Sequence, residues 1–307
     1  SLSVVALTRT ITRIARLPLL GRAALARLET RTKARRRIRQ MRRPRRKAAR
    51  DPSLTAWRVW LLRPSKEDDL ADPIRALATL NGRFAAPLAQ TMLAKPKARE
   101  DAAAFAAHCQ AMGFEFTTEW ADNNIPYVAP LLRDFAAGRG QIRYLEIGAY
   151  EGRNLAFMDW LLPAKLDVTV IDPWFDETLN PEEKYHAVEP RFQRNVAKLG
   201  FSSLATHKGF STYELPRMLE AGEAFDLIYV DGSHTAWAVM VDLAYCAALL
   251  DIGGMMVLDD YWHDESEIGG PGVKQAVDRF HGIFRDYFEI TAVYRQVALT
   301  KTAEIPR

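Results

Sequence analysis

The chain has 307 residues, 48% of them hydrophobic and 26% charged, the composition of an ordinary globular protein. No run of 18 or more apolar residues occurs, which excludes a transmembrane helix. Cys109 and Cys246 lack CxxC or metal spacing, so they read as core thiols in a reducing compartment and not as a disulfide framework. The net charge of +4 hides an asymmetry: residues 1–50 hold 17 of the 42 Lys+Arg and a single acid, Glu29, leaving 25 basic against 37 acidic residues in the body.

Residues 1–50 form a basic arm. Leu2, Val5, Ile11, Ile14, Leu17, Leu25 and Leu28 recur at near-helical spacing with arginines interleaved, and 12 of residues 31–50 are Arg or Lys. Three readings stay open for the arm: a solvated flexible tail, a contact with an anionic membrane surface, and nucleic-acid contact or organelle targeting. A first residue other than Met agrees with trimming or processing. The expected location is cytoplasmic, either free or peripheral at a membrane, with organelle targeting still open. Residues 51–139, rich in proline, read as a helical N-terminal cap region in which Asp101 caps a helix.

From residue 140 to 307 short apolar runs alternate with helical stretches. Strands are predicted at Ile142–Ile147, Asp167–Ile171, Leu204–Lys208, Leu227–Val230 and Met255–Leu258. Helices are predicted at Arg153–Leu162, Glu189–Leu199, Thr212–Ala221, Thr235–Leu250 and Val273–Arg285. This order predicts an α/β fold: a parallel sheet with helices on both faces. Tyr287–Val293 and Arg295–Lys301 alternate and lie close together, as in an antiparallel hairpin.

The first strand runs into Glu146-Ile-Gly148-Ala-Tyr-Glu-Gly152, an E-x-G-x-x-x-G turn before a helix. Gly148 and Gly152 let the backbone approach a ligand where a Cβ would collide, although such a turn can also be purely structural. G-x-G-x-x-G is absent, which weakens a dinucleotide reading. The second strand ends at Asp172, 20 residues after Gly152, placed to accept hydrogen bonds from ribose hydroxyls, with Trp174 beside it to pack on a nucleoside.

This combination resembles the class I S-adenosylmethionine-dependent methyltransferases. The resemblance covers residues 112–302 and implies a Rossmann-like, seven-stranded, mostly parallel sheet with an antiparallel C-terminal pair. It further implies that the glycine loop holds the methionine end of the cofactor, that Asp172 holds its ribose, and that Gly209-Phe210-Ser211 lies near its adenine.

The next two strands end in Asp231-Gly-Ser-His234 and in Asp259-Asp260-Tyr-Trp-His263. Parallel strands present these ends to one crevice, where Asp231, Asp259 and Asp260 would repel one another unless a cation lies between them. An all-oxygen set of this kind suits Mg²⁺ or Mn²⁺; helix-cap and loop roles without a metal are the alternative.

The two motifs resemble the divalent-metal O-methyltransferases, in particular those that methylate sugar hydroxyls in macrolide and aminocoumarin biosynthesis. That resemblance implies Asp231, Asp259 and Asp260 as metal ligands, Asp231 also beside the cofactor, and His234 as the base; orienting an aspartate is the other reading of His234. His263 is either a rim residue or a second base. Trp120, Tyr127, Trp237, Tyr261 and Trp262 either roof a substrate pocket or pack the core, and Gly269-Gly-Pro-Gly272 is a flap or a turn.

The expected activity is therefore methyl transfer to a hydroxyl of a small acceptor, a glycoside or natural product, in an enzyme that is possible as a homo-oligomer. Two other readings stand beside it: a nucleic-acid methyltransferase anchored by the arm, and a membrane-tethered protein with a non-catalytic cofactor fold. The acidic body and the absence of an N-P-P-Y motif weigh against the first; intact Gly148, Gly152 and Asp172 weigh against the second.

Overall fold

The computed structural model describes residues 95–119, 129–174, 187–261, 272–293 and 296–306, all within one compact unit, Asn81–Pro306. The readings of the basic arm, of residues 51–94, and of Trp120, Tyr127, Trp262, His263, Gly269, Gly270 and Pro271 fall outside these residues. Among the described residues no helix is long and apolar enough to cross a membrane.

Two helices precede the sheet, α1 (Lys95–Met112) and α2 (Ala129–Ala136). α1 begins at Lys95, so Asp101 does not cap it as expected but lies within it. The acid is 2% exposed, and both its oxygens accept hydrogen bonds from the Arg133 guanidinium of α2 at 2.9 Å. A short polar residue ahead of an alanine run resembles a cap locally; a partner 32 residues away decides its position instead.

The sheet region runs β1 (Ile142–Ile147), α3 (Arg153–Leu161), β2 (Leu166–Asp172), α4 (Val188–Val196), β3 (Ser203–Lys208), α5 (Ser211–Ala221), β4 (Phe225–Val230), α6 (Ala236–Leu249), β5 (Leu250–Leu258), α7 (Val273–Phe284), β6 (Phe288–Val293) and β7 (Val297–Lys301). The strand order is β3-β2-β1-β4-β5-β7-β6. β1 to β5 pair in parallel, and β7 is antiparallel to both β5 and β6. β1 and β4 are buried at all but one position each, as apolar central strands covered on both faces should be. β3 departs from that expectation: its residues Ser203-Leu-Ala-Thr-His-Lys208 form an edge and are largely exposed, and Lys208 there pairs with Glu189.

β5 begins at Leu250, directly after α6, ahead of the expected Met255. A bulge opposite Phe225 and Leu227 absorbs the extra residues. Gly254 is required there, because a Cβ would lie 2.8 Å from the Asp251 carbonyl oxygen and 2.9 Å from that of Asp226. Lys301, 3% exposed, donates to the Ala247 carbonyl at 3.1 Å and the Leu250 carbonyl at 2.7 Å, tying β7 to the helix-to-strand junction. α1 packs on α3, with Phe105 edge-on to Phe157 at 5.3 Å.

The order of strands reverses between β1 and β4, and open parallel sheets bind ligands at that switch point. The ladder extends one residue past each strand end: Gly148 N–H donates to Ile171 O at 2.9 Å, Asp231 N–H to Ile147 O at 2.8 Å, and Asp259 N–H to Val230 O at 3.0 Å. Three connecting segments thus leave the sheet side by side.

Arg133→Ala leaves the buried Asp101 carboxylate without its cation and is expected to cost about 2 kcal/mol of unfolding free energy, less than a fully buried pair because Arg133 is partly exposed. Urea denaturation measures it; an unchanged midpoint would refute the assignment.

Candidate active site

The glycine loop takes its shape from its own chain. Gly148 has φ +85°, and a Cβ there would lie 2.0 Å from the Asp231 carbonyl oxygen. Gly152, the N-terminal flank of α3, has φ +80°, and a Cβ would touch Phe192 and Val196 at 3.3 Å. The sequence reading gave both glycines the task of admitting a ligand; the space they leave is filled by the β4 exit and by α4.

Asp172 holds this loop. Its Oδ2 accepts from the Ala149 and Tyr150 amides at 2.8 and 2.9 Å, and its Oδ1 from the Trp174 amide at 2.7 Å. Burial raises its pKa, and these three amides oppose the rise. Trp174 does not line the crevice as expected. It is 4% exposed, its ring lies 4.5 Å from that of Phe192, and its Nε1–H donates to Tyr150 O at 2.9 Å. Apolar area and a satisfied indole N–H draw the ring into the core.

Glu146 is fully buried beneath the loop. Its Oε2 accepts from the Tyr144 hydroxyl at 2.5 Å and from Asn154 Nδ2 at 2.8 Å. Oε1 has no hydrogen-bond partner among the described residues. Burial lifts the carboxyl to about 8; Tyr144 and Asn154 oppose this, and the charges of Asp172 and Asp259 add to it. Glu151, in the same motif, is also buried and joins the loop to the segment after α1, accepting from Thr117 N at 2.6 Å and Thr117 Oγ1 at 2.7 Å and pairing with Arg191.

At the exits of β4 and β5, Asp231, His234 and Asp260 bring one ligand atom each within 4.8 Å of one another. His234 Nε2 lies 2.9 Å from Asp260 Oδ2. Asp259, expected to share a cation with Asp231 and Asp260, is not in this set. It is 6% exposed and faces inward. Its Oδ2 accepts from the Tyr229 hydroxyl at 2.6 Å, and its Oδ1 from the Asp260 amide at 2.7 Å. Burial and then the charge of Asp260 raise its pKa to about 6, with Tyr229, the Asp260 amide and Gln296 pulling it down. Asp231 is raised by desolvation first and then by Asp259, Asp260, Glu146 and Asp172. The crevice therefore concentrates carboxylates that disfavour one another's charge.

Exposed aromatics stand at the starts of the helices that follow β3 and β4. Phe210 and Tyr213, at the start of α5, are each 50% exposed and in edge contact at 6.4 Å, and Trp237 on α6 is 66% exposed. Tyr261, by contrast, is core: it is 2% exposed and donates to Asp278 at 2.6 Å. Ser211, the first residue of α5, hydrogen-bonds Asp242 of α6. Asp242, Tyr144, Asn154, Glu151, Tyr229 and Gln296 carry no role in the sequence reading. For Tyr144 the signal is parity, because residues two apart share a face and Tyr144 precedes Glu146 by two. Register supplies the rest, since Tyr229 is the β4 partner of Glu146.

Residues 145–261 match the family model Methyltransf_24, described as a methyltransferase domain. The chain carries a methyltransferase domain. Its seven-stranded sheet with an antiparallel end is the class I architecture that the sequence resemblance implies. Similar solved structures include the MycE methyltransferase from the mycinamycin biosynthetic pathway in complex with Mg, SAH and mycinamycin VI (19% identity, 67% of this chain and 57% of that chain, TM-score 0.45). The O-methyltransferase NovP is similar at 18% identity, over 57% of this chain and 78% of that chain, TM-score 0.46. The O-methyltransferase TomG from Streptomyces achromogenes, involved in tomaymycin synthesis and solved with SAM, is similar at 18% identity, over 66% of this chain and 90% of that chain, TM-score 0.45. The match spans little more than half the length of MycE. No curated protein matches the chain in sequence.

Two measurements probe how the methyltransferase domain holds its crevice. Gly148→Ala meets both a left-handed φ and a backbone collision, whereas Gly222→Ala, at φ +77° with nothing within 4 Å, meets the first alone. The second variant is expected to lose about 1–2 kcal/mol and the first at least about twice that, by chemical denaturation; equal losses would show that the contact with Asp231 is unimportant.

Asp242 is 1% exposed, and burial raises its pKa from 3.8 to about 7 against the pull of Ser211. A carboxyl that keeps its proton longer when folded stabilises fully below its unfolded pKa, and that contribution is lost as pH rises through the folded value. Asp242→Asn is thus expected to gain melting temperature relative to the parent as pH rises from about 4 to about 8. A difference independent of pH would contradict this.

Proposed function

We propose that the domain transfers the methyl group of S-adenosylmethionine to a hydroxyl of a small acceptor, a glycoside or other natural product, with a divalent cation such as Mg²⁺ at Asp231 and Asp260 and with His234 as the base. The observation that supports this best is the convergence of Asp231, His234 and Asp260 within 4.8 Å at the switch point of the sheet.

The residues present fit both groups. A buried carboxylate oxygen without a hydrogen-bond partner among the described residues, Glu146 Oε1, suits the ammonium of the cofactor's methionine end. Carboxylates that raise one another's pKa suit a cation, and the oxygens of Asp231 and Asp260 are donors that Mg²⁺ or Mn²⁺ accepts, leaving the His234 imidazole to take a proton. Asp172 serves the nucleoside by fixing the loop, with Ser211 on the adenine side. When bound, the cation lowers the pKa of an acceptor hydroxyl and fixes its direction.

The chain's own part is to position, to take the proton and to exclude water. The acceptor oxygen forms its bond to the methyl carbon as the carbon–sulfur bond breaks; the sulfur keeps that electron pair, and the hydroxyl proton passes to His234. Asp260, 2.9 Å from the imidazole, stabilises the charge that develops on it. Positive charge leaves the sulfonium during transfer, so alignment of the partners matters more than further charge stabilisation.

The same 2.9 Å contact favours a second reading, in which Asp260 and His234 act as an acid–imidazole pair without a cation. Methyl transfer to a panel of glycosides and phenols, with and without EDTA, separates the two. The cation reading expects loss of turnover in EDTA and recovery with Mg²⁺; undiminished turnover supports the pair. In both, His234→Ala is expected to lower kcat by about 100-fold or more, with S-adenosylhomocysteine affinity within about threefold of the parent by calorimetry.

A further inference from the structure

Asp259 and Asp260 are neighbours with opposite orientations. Asp260 faces His234 across the crevice, and Asp259 faces the interior, where Tyr229 is 1% and Gln296 0% exposed. The Tyr229 hydroxyl gives its one proton to Asp259 Oδ2 at 2.6 Å and accepts from Gln296 Nε2 at 2.7 Å. The same nitrogen stands 3.5 Å from Asp259 Oδ2. The direction of this chain is fixed: a hydroxyl whose proton faces a carboxylate can only accept from its third neighbour, so the Gln296 nitrogen, not its oxygen, must face Tyr229. Asp259 Oδ1 in turn accepts the Asp260 N–H at 2.7 Å. Asp260 has φ +52°, a left-handed conformation uncommon outside glycine, which its side chain tolerates and the hydrogen bond from its amide to Asp259 accompanies.

We propose that Tyr229 and Gln296 are positioning residues for the crevice: they lock Asp259, and Asp259, through the Asp260 amide, sets the backbone turn that aims the Asp260 carboxylate at His234 and at the cation. The inference rests on the cation reading above and deepens it. The three members come from different elements, Tyr229 from β4, Asp259 from the exit of β5, and Gln296 from the residue ahead of β7. The antiparallel end of the sheet thus reaches the chemistry through this chain of hydrogen bonds as well as through the β5–β7 ladder. A carboxylate supported by a hydroxyl and an amide cannot rotate without leaving two buried polar groups unsatisfied, and this holds the turn.

The test uses the full chain and Mn²⁺ as the probe. Mn²⁺ affinity is measured by electron paramagnetic resonance, and S-adenosylhomocysteine affinity by calorimetry, for the parent, Tyr229→Phe, Gln296→Met and Asp260→Asn. Groups that orient metal ligands typically change metal affinity by about 10–100-fold when removed. Both Tyr229→Phe and Gln296→Met are therefore expected to weaken Mn²⁺ by about tenfold or more while S-adenosylhomocysteine binding stays within about threefold. The Mg²⁺ concentration for half-maximal turnover should rise in parallel.

A merely structural role for Tyr229 would lower both affinities together. Gln296→Met keeps the test open should Tyr229→Phe fail to fold. Parent-like Mn²⁺ binding in the folded variants overturns the positioning role and leaves the cation reading standing. If the parent takes up no Mn²⁺ that Asp260→Asn removes, the cation reading fails, and the inference with it.

Discussion

The contact between Gly148 and the carbonyl of Asp231 governs the candidate site. Here the loop leaving β1 and the loop leaving β4 touch with no side chain between them. The two strands flank the reversal of strand order, so the contact fixes the depth of the crevice and the starting point of the β4 exit. Asp172 secures the same loop from the other side through the backbone amides of Ala149 and Tyr150. A left-handed glycine, a carbonyl and a buried carboxylate thus set the geometry before any substrate group is considered. Asp231 inherits its position from this contact, and the positions of His234 and Asp260 matter relative to Asp231.

Electrostatics divides the acids of the crevice into two kinds. Glu146 and Asp259 are held from behind by tyrosine hydroxyls, at 2.5 and 2.6 Å, and sit in the dry interior. Asp231 and Asp260 stand at the strand exits, with His234 between the loops. Burial penalises charge on Glu146, Asp231 and Asp259, and the charges of neighbouring acids add to the penalty on each. An arrangement of this kind is costly unless positive charge is brought to it, and a bound sulfonium carries positive charge of its own until the methyl group leaves.

Much of this was legible in the residues. Apolar runs and their spacing located the strands to within a few positions, because central strands buried on both faces announce themselves by composition. Glu146, Gly148, Asp172, Asp231 and Asp260 lie at adjoining strand ends, because the ends of parallel strands converge by topology. Orientation was less legible. Trp174 and Asp259 lie beside the predicted positions but point inward, since rotamer and partner depend on residues far along the chain, Phe192 for one and Gln296 for the other. Asp101 misled for the same reason: Arg133, not its local helix signal, decides where it sits. β5 began early because a bulge at Gly254 cannot be inferred from hydrophobic pattern.

β7 lies between β5 and β6 in the sheet although every other strand precedes it in sequence. During synthesis, β6 therefore emerges from the ribosome before the strand that will join it to β5. Until Lys301 can reach the carbonyls at the end of α6, that junction has no capping cation, and until Gln296 arrives, Tyr229 lacks its donor. A nascent chain halted before β7 would thus carry the glycine loop and the acids yet leave their supports unfinished. The placement defers maturation of the catalytic pocket until translation has passed the final strand.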